Sequence, residues 1–338
     1  VGIVSTTSIT NATPASAYAS SVDRTFEAFV PQECERYQTS IAEQLVDAMT
    51  GDGAFVDMAL GGGRGNFLPD SQGQGGSRQD GRDLIQQAVR GGVQSVATAA
   101  ELRALDLAGD GRVLGLFDFD HLDYEHDRTG GQTPGTADGR DSSEQPSLRS
   151  MTRAAIEFLS TGEDGFFLLV EGGRTDHASH AGNMYRTMAE GIAYQQAIRA
   201  AMDLTSAEDT LVVSTADHGH SVVVQGYCGR GSPVDGLCMG IDGNGEANTG
   251  QPEIASDGLP FTVITFANGP GSVFMPGGVN NVAGGQSSPG GGRRGGRVTN
   301  EAASQPDYVQ QALVPAGRAS HSGTDVAIYA TGPWAHLF

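Results

Sequence analysis

The chain has 338 residues and a formal charge of −20, from 20 Lys plus Arg against 40 Asp plus Glu. A balance this acidic argues against general binding to nucleic acids or anionic membranes. The hydrophobic fraction of 38% supports a sizeable core, which excludes disorder of the whole chain. No apolar run reaches the roughly 18 to 20 residues that a membrane-spanning helix needs.

Apolar stretches that alternate with helical patterns predict an α/β fold. Several stretches are continuous apolar runs, typical of a mostly parallel sheet covered on both faces. In chain order the predicted strands are VGIV, AFVDMAL, VLGLF, GFFLLV, TLVVST, FTVITF and DVAIYA. The first of them opens the sequence, where a strand would normally lie inside a sheet. We therefore expect the chain to start within a domain.

Two helices are predicted between these strands. One runs from Ser147 to Ser160, and a longer one runs from Ala181 to Met202. Apolar residues recur in the longer helix at three- to four-residue spacing, which predicts a stripe that packs on the core rather than a ligand-binding set. The stripe consists of Met184, Met188, Ile192, Ala193, Ile198 and Met202.

The composition shifts to Gly, Pro, Ser and Asn between residues 225 and 318. We interpret this region as a loop-rich insertion into a core formed by residues 1–224 and 319–338. Its stretch SSPGGGRRGGRV is similar to an RNA-binding Arg-Gly segment, but it holds no aromatic residue for base stacking, which favours a surface loop. The segment ALGGGRGNF matches neither G-x-G-x-x-G nor a Lys-containing phosphate loop, so it predicts a plain turn.

Three cysteines are too few for a disulfide scaffold, and none lies in a C-x-x-C pair. Cys228 and Cys238 flank a short Gly-rich loop. Either they close it as a disulfide, which implies an oxidising compartment, or they are two thiols. Cys34 is then left over.

Residues that can bind a metal ion follow a predicted strand in the stretch GFFLLVEGGRTDHASH. The strand delivers Glu171 at its carboxyl end, the edge at which open α/β sheets bind ligands. Asp176 and His180 follow four residues apart, so a helix there would present both from one face. One carboxylate and one imidazole suit zinc.

A second strand ends in the same two residue types. After the predicted strand TLVVST come Asp217 and His218, which converge on one ion only if the strand has already turned into a loop. His321, just before the strand DVAIYA, could complete a three-ligand site. Clustering of so many His and acidic residues at strand ends favours a metal site over isolated surface histidines.

At this point the motifs resemble the alkaline phosphatases. The matching segments are VGIVSTTSITNATPASAYASSVDR, VEGGRTDHASH, TADHGH, FANGPG and SHSGTDVAIYATGPWAHL. The resemblance runs from the first residue to the last and is weakest at residues 64–82 and 229–318. It implies a three-layer α/β/α sandwich with a large, mainly parallel sheet, and a crown-like insertion at residues 225–318.

The resemblance also implies a site with two zinc ions and one magnesium ion, and assigns the residues that hold phosphate. Asp176, His180 and His321 match the ligands of the first zinc, Asp217 and His218 those of the second, and Thr13 and Glu171 those of magnesium. Arg24 matches the guanidinium that grips two phosphate oxygens, a bidentate contact that Lys does not provide equally well. The implied reaction is hydrolysis of phosphate monoesters through a phosphoserine, followed by release of inorganic phosphate.

Two features depart from the family pattern. The family's nucleophilic serine and its bridging aspartate lie upstream of the strand that VGIVSTT matches. We therefore expect a fragment, inactive alone, that lacks both and the extreme carboxyl terminus. Asn11 stands where the family carries Asp or His near magnesium, and His177 lies in a companion position that is Lys or His. Because an amide orients metal-bound water less strongly than a carboxylate, Asn11 predicts altered magnesium affinity. His220 is expected to contact phosphate or a zinc ligand.

Three alternatives remain open at this stage. One is another member of the same metal-dependent superfamily, a phosphodiesterase, sulfatase or phosphosugar mutase. Arg24, Glu171 and Thr13 together favour the phosphomonoesterase. The others are a non-catalytic domain that binds metal and phosphate, and an Arg-Gly nucleic-acid binder, which we do not expect. The family resemblance further implies a homodimer exported to the periplasm or the extracellular space.

Overall fold

The computed structural model describes residues 1–70, 75–108, 111–130, 144–256, 258–272 and 298–338. Within these ranges the strands are β1 (Gly2–Ser8), β2 (Met58–Gly62), β3 (Val93–Val96), β4 (Arg112–Leu116), β5 (Leu168–Glu171), β6 (Val212–Ser214), β7 (Gly219–His220), β8 (Val222–Val224), β9 (Met239–Ile241), β10 (Ala247–Pro252), β11 (Ile264–Gly269), β12 (Ala312–Pro315), β13 (His321–Ser322) and β14 (Tyr329–Thr331). The α-helices are α1 (Ala12–Ala15), α2 (Ile41–Thr50), α3 (Leu84–Arg90), α4 (Ala99–Ala104), α5 (Glu125–Arg128), α6 (Leu148–Leu159), α7 (Arg174–His180), α8 (Met184–Leu204) and α9 (Asn300–Ala303).

The described chain divides into two compact units. The first comprises Val1–Arg174, Glu190–Val212 and Thr331–Ala335, and the second comprises Thr175–Ala189, Val213–Ala330 and His336–Phe338. The division into a core and an insertion at residues 225–318 stays a prediction. None of the helices in the described ranges is both long and apolar enough to cross a membrane.

A five-stranded sheet organises the first unit. Its strand order is β3-β4-β2-β1-β5, and every neighbouring pair is parallel. Strands β1 and β5 pair so that Ser5 is the register partner of Glu171. The sheet therefore delivers Glu171 at its carboxyl edge, beside the end of β1, as the sequence predicts.

Helices cover both faces of this sheet. Successive strand residues point to opposite faces, so Ile3 and Leu114 pack with α2 and α3 on one side. Val4 and Leu60 pack with α6 on the other side. Each fully buried side chain of this kind contributes about 1.5 to 3 kcal/mol. The predicted α/β/α sandwich with a mainly parallel sheet is confirmed.

Helix α2 begins with a capping box that is tied to a buried arginine. The Ser40 hydroxyl accepts from the Glu43 N–H at 3.3 Å, and the Glu43 carboxylate accepts from the Ser40 N–H at 3.0 Å. The Arg78 guanidinium, whose side chain is 1% exposed, donates to the Ser40 hydroxyl at 3.2 Å. Burial raises the pKa of Glu43, but hydrogen bonds from Ser40 and the charges of Arg78 and Arg82 hold it below its ordinary value.

The long helices agree with the sequence pattern in part. Helix α6 spans Leu148–Leu159 between its caps Ser147 and Ser160, as predicted. Helix α8 begins three residues later than predicted, because the Asn183 side chain accepts from the Arg186 N–H at 2.9 Å and caps the helix start. The predicted stripe is wrong at Met202, which is 48% exposed, and four other stripe members are only half-buried. The buried apolar residues of α8 are Ala189, Ala193, Ala197 and Ala200.

The second unit contains small sheets. Strand β11 pairs parallel to β12 and antiparallel to β8, and two-stranded pairs join β9 with β10 and β7 with β13. Cys228 and Cys238 form a disulfide, which decides between the two alternatives that the sequence leaves open. Among the described residues Cys34 is a free thiol. Residues 287–297 of the Arg-Gly stretch lie outside the described residues.

The plain turn predicted for ALGGGRGNF is wrong for residues 59–62, which belong to β2. The rest of the segment contains a short 3₁₀ helix at Arg64–Phe67. The Arg64 guanidinium donates to the carbonyls of Leu116 at 2.7 Å and Ala97 at 3.1 Å. These hydrogen bonds give this arginine a structural role.

Candidate metal centre

Four side chains of the second unit meet in one small volume. The possible ligand atoms of Asp176, His180, His220 and His321 all lie within 4.8 Å of one another. Asp176 and His180 lie one turn apart on α7, whereas His220 and His321 are register partners in the antiparallel pair of β7 and β13. One helix and one strand pair therefore bring together residues that are far apart in the chain.

Three distances between these side chains are close to the spacing of two ligands on one zinc ion, and the two that involve Asp176 end on its two different carboxylate oxygens. His321 Nε2 lies 3.1 Å from His180 Nε2 and 3.2 Å from Asp176 Oδ1. His180 Nε2 lies 3.5 Å from Asp176 Oδ2. Ligands about 2.0 to 2.1 Å from a tetrahedral zinc ion lie roughly 3.3 Å from one another. One carboxylate and two imidazoles at these separations fit zinc.

His220 has a different place in the cluster. Its Nε2 lies 2.5 Å from Asp176 Oδ1, a hydrogen-bond distance that is too short for two ligands of one ion. The side chain is nearly buried, and among the described residues its Nδ1 has no hydrogen-bond partner. His220 therefore orients the Asp176 carboxylate by donating a hydrogen bond from Nε2.

Burial and hydrogen bonds shift the pKa values of Asp176 and His180. Burial raises the pKa of Asp176, but the hydrogen bond from His220 and the charges of His180, His220 and His177 lower it to about 2. Burial lowers the pKa of His180, against the hydrogen bond with the Ala319 carbonyl and the negative charge of Asp176, which raise it. His180 Nδ1 lies 2.5 Å from the Ala319 carbonyl, so Nδ1 carries the proton and Nε2 keeps a lone pair for a metal.

Asp217 and His218 lie next to the cluster in a loop. Strand β6 ends at Ser214, so the chain has turned before Asp217, which is the condition that the sequence sets for convergence. His218 Nε2 lies 3.1 Å from Asp217 Oδ2, again close to a tetrahedral edge. The His218 ring stacks on the His321 ring with centroids 3.5 Å apart. The structure thus places the second predicted ligand pair beside the first set.

The remaining predicted residues, apart from His177, lie in the first unit. Thr13 lies on α1, which contacts the strand that ends in Glu171. The Asn11 Oδ1 accepts from the Ala12 N–H at 2.9 Å and from the Arg24 guanidinium at 3.2 Å. One amide oxygen therefore links the helix of Thr13 to Arg24, a contact that no sequence motif reveals. His177 lies on α7 of the second unit, next to Asp176.

Sequence reasoning missed the groups that hold the predicted ligands. The Ala319 carbonyl is a backbone atom and leaves no residue-type signal. Ser5 donates to the Glu171 carboxylate at 2.5 Å, but it is one of four successive hydroxyl residues in VGIVSTTS, and nothing in the sequence assigns Glu171 to one of them. The Ser5 contact depends on the register of β1 and β5, and the Ala319 contact depends on the packing of a loop against α7; the sequence pattern fixes neither.

The fold and the cluster define an α/β protein with a site suited to a divalent cation. The sequence profile named alkaline phosphatase matches residues 1–338. The tissue-nonspecific alkaline phosphatase of Gallus gallus is 34% identical over 354 residues, covering 100% of this chain and 60% of the relative. The alkaline phosphatase of Gadus morhua is 32% identical over 353 residues, covering 100% of this chain and 65% of the relative.

Solved structures similar to this chain are also alkaline phosphatases. Thermus thermophilus alkaline phosphatase is 31% identical with a TM-score of 0.51, covering 68% of this chain and 41% of that one. A magnesium-bound mutant of TAB5 alkaline phosphatase, 20% identical, covers 100% of this chain and 66% of that one with a TM-score of 0.57, which is a likeness of fold. The chain belongs to the alkaline phosphatase family, a family of phosphomonoesterases. It spans about 60% of the length of the Gallus gallus relative.

Proposed function

We propose that the protein hydrolyses phosphate monoesters with two zinc ions and one magnesium ion, through a phosphoserine intermediate, and releases inorganic phosphate. The observation that carries this proposal is the close approach of the possible ligand atoms of Asp176, His180 and His321, at 3.1 to 3.5 Å from one another. The Nε2 atoms of His180 and His321 lie 3.1 Å apart, and each can use a lone pair to bind a cation placed between them. A divalent cation satisfies both.

The residues of the second unit would hold the two zinc ions. Asp176, His180 and His321 would hold one, and Asp217 with His218 would hold the other. His220 keeps Asp176 ionised and oriented through its 2.5 Å hydrogen bond. When bound, the ions supply the positive charge that stabilises developing negative charge on attacking and leaving oxygens.

The residues of the first unit would hold magnesium and phosphate. Glu171 and Thr13 offer a carboxylate and a hydroxyl, the oxygen ligands that magnesium prefers. In the part of the chain that the structure describes, Arg24 is exposed and uses a guanidinium N–H for Asn11, which leaves further N–H groups for phosphate oxygens. This matters because a chain of net charge −20 repels a phosphate dianion unless cationic groups dominate locally.

The direct test is hydrolysis of p-nitrophenyl phosphate by the full-length protein, before and after chelation. We expect activity that a chelator removes and that added zinc with magnesium restores. The His321→Ala variant should lose at least a hundredfold in kcat/KM, whereas His336→Ala, a change outside the cluster, should retain activity. Unchanged activity after metal removal would refute the proposal.

The same assay separates the other members of the superfamily. Bis-p-nitrophenyl phosphate reports a phosphodiesterase and p-nitrophenyl sulfate reports a sulfatase. We expect the monoester to be the preferred substrate, because Arg24 is suited to two non-bridging phosphate oxygens. If the protein instead prefers the diester or the sulfate, it is a phosphodiesterase or a sulfatase and the proposed phosphomonoesterase activity is wrong.

We also propose a homodimer that is exported to the periplasm or the extracellular space. The family resemblance supports both statements. The Cys228–Cys238 disulfide adds support for export, because disulfides persist in oxidising compartments. Light scattering coupled to size exclusion tests the dimer, and fractionation of the source cells tests the location.

A further inference from the structure

The Glu171 carboxylate lies against two buried hydroxyl groups of strand β1. Ser5 Oγ lies 2.5 Å from Glu171 Oε2, and Thr7 Oγ1 lies 3.2 Å from the same oxygen. Ser5 is 0% exposed and Thr7 is 2% exposed. Among the described residues, the hydrogen bonds to this carboxylate all end on Oε2. The other oxygen, Oε1, is therefore the one left for a cation.

Each hydroxyl has one proton to donate, and this decides whether Ser5 or Thr7 makes the hydrogen bond to Glu171. The Thr7 hydroxyl has acceptors at Ser5 Oγ (2.7 Å), the Ser8 carbonyl (3.1 Å) and Glu171 Oε2 (3.2 Å), and the nearest is Ser5. Ser5 Oγ also accepts from the Thr7 N–H at 2.9 Å. With both lone pairs occupied, the Ser5 hydroxyl has its single proton for Glu171. The chain from Thr7 through Ser5 polarises that last bond.

Gly173 allows the carboxylate to lie against β1. A Cβ at this position would lie 2.4 Å from Thr7 Cγ2 and 2.8 Å from Glu171 Cδ. Both distances are shorter than van der Waals contact, so a side chain here would push the carboxylate away from the hydroxyls. The neighbouring Gly172 is different, because its added Cβ would meet the Tyr194 side chain at 3.2 Å.

We propose that Ser5 is a positioning residue for magnesium binding: its hydroxyl fixes Glu171 Oε2, with Thr7 behind it and Gly173 leaving the space, so that Oε1 faces the cation. The proposal rests on the magnesium role of Glu171 given above. Removing a group that orients a metal ligand commonly weakens metal affinity by about 10- to 100-fold. Ser5 itself contacts neither the ion nor the substrate.

The test is magnesium titration of the full-length protein by calorimetry, with thermal unfolding measured in parallel. We expect Ser5→Ala to raise the magnesium Kd by about 10- to 100-fold. Thr7→Val should raise it less, and Thr7→Ser, which keeps the hydroxyl, should restore a Kd near that of the wild type. Gly173→Ala should raise the Kd although every polar group is retained, whereas Gly172→Ala should not.

The outcomes separate this proposal from the proposed function. If Glu171→Gln leaves the magnesium Kd unchanged, the magnesium role of Glu171 is wrong and the positioning role falls with it. If Glu171→Gln abolishes binding while Ser5→Ala lowers only the unfolding temperature, Ser5 is merely structural and this proposal alone is overturned. Should Ser5→Ala fail to fold, an unchanged Kd in Gly173→Ala overturns it.

Discussion

Glu190 offers a quantitative test of the packing in the first unit. Its side chain is 2% exposed, and its carboxylate accepts from the Glu125 N–H at 2.5 Å, at the start of α5. Burial and the negative charge of Glu125 raise the pKa of Glu190 from 4.5 to about 7, against the opposing charges of Arg174 and Arg128. The folded protein therefore binds a proton at Glu190 more tightly than the unfolded chain does.

The sign of the effect follows from linkage. A carboxyl whose pKa is raised on folding stabilises the protein most below its unfolded pKa of 4.5, and this contribution is lost as the pH rises to about 7. The gap between the two values corresponds to about 3 kcal/mol, of which about 2 to 3 kcal/mol is lost between pH 5 and pH 9. A neutral isostere at this position should not pay that electrostatic cost.

We therefore predict that Glu190→Gln gains stability relative to the wild type as the pH rises. The difference in unfolding free energy between variant and wild type should shift in favour of the variant by about 2 to 3 kcal/mol from pH 5 to pH 9. Denaturant unfolding followed by circular dichroism measures it. Glu157→Gln, a change at a more exposed position on α6, is the control and should show no such shift. A difference that does not vary with pH would refute the reasoning.

Three further predictions follow from the described contacts. Ser40→Ala should lower the unfolding free energy, measured by denaturant unfolding, by about 1 to 2 kcal/mol through loss of the capping box. Ser40→Thr, which keeps the hydroxyl, is the control. An unchanged unfolding free energy in Ser40→Ala would contradict the prediction. Replacing Cys228 and Cys238 by Ser should lower the unfolding free energy by about 2 to 4 kcal/mol. Thiol titration of these 338 residues, unfolded, should find one free thiol before reduction and three after; three before reduction contradicts the bridge. Asn11→Asp should tighten magnesium binding by about tenfold, since a carboxylate orients metal-bound water more strongly; equal Kd values by calorimetry contradict that expectation.

Much of the fold can be predicted from the sequence, because the core strands are continuous apolar runs and α6 has a clear residue at each end. Continuous apolar runs predicted the parallel sheet, and the serines at both ends of α6 marked its bounds. The start of α8 was predicted too early, because apolar spacing continues through Ala181 although Asn183 caps the helix. Strands β7, β9 and β13 are only two or three residues long, and β10 is mostly polar, so none of them shows a hydrophobic alternation long enough to predict a strand.

The sequence predicts the ligands of the candidate site better than it predicts the contacts between them. Residue type and position at strand ends suffice to nominate Asp176, His180 and His321. The family resemblance adds Thr13 and Arg24. What the sequence cannot supply is strand register, which pairs His220 with His321 and Ser5 with Glu171. The hydrogen bonds that orient the ligands depend on that register.

The central claim is that Asp176, His180 and His321 hold one zinc ion and that Asp217 and His218 hold a second. Anomalous diffraction at the zinc edge from crystals of the full-length protein grown with zinc tests it most directly. We predict one peak within about 2.0 to 2.2 Å of the first three side chains and a second peak at the same distance from the other two. Zinc bound only elsewhere, or a crystal without peaks at either position, would contradict the account.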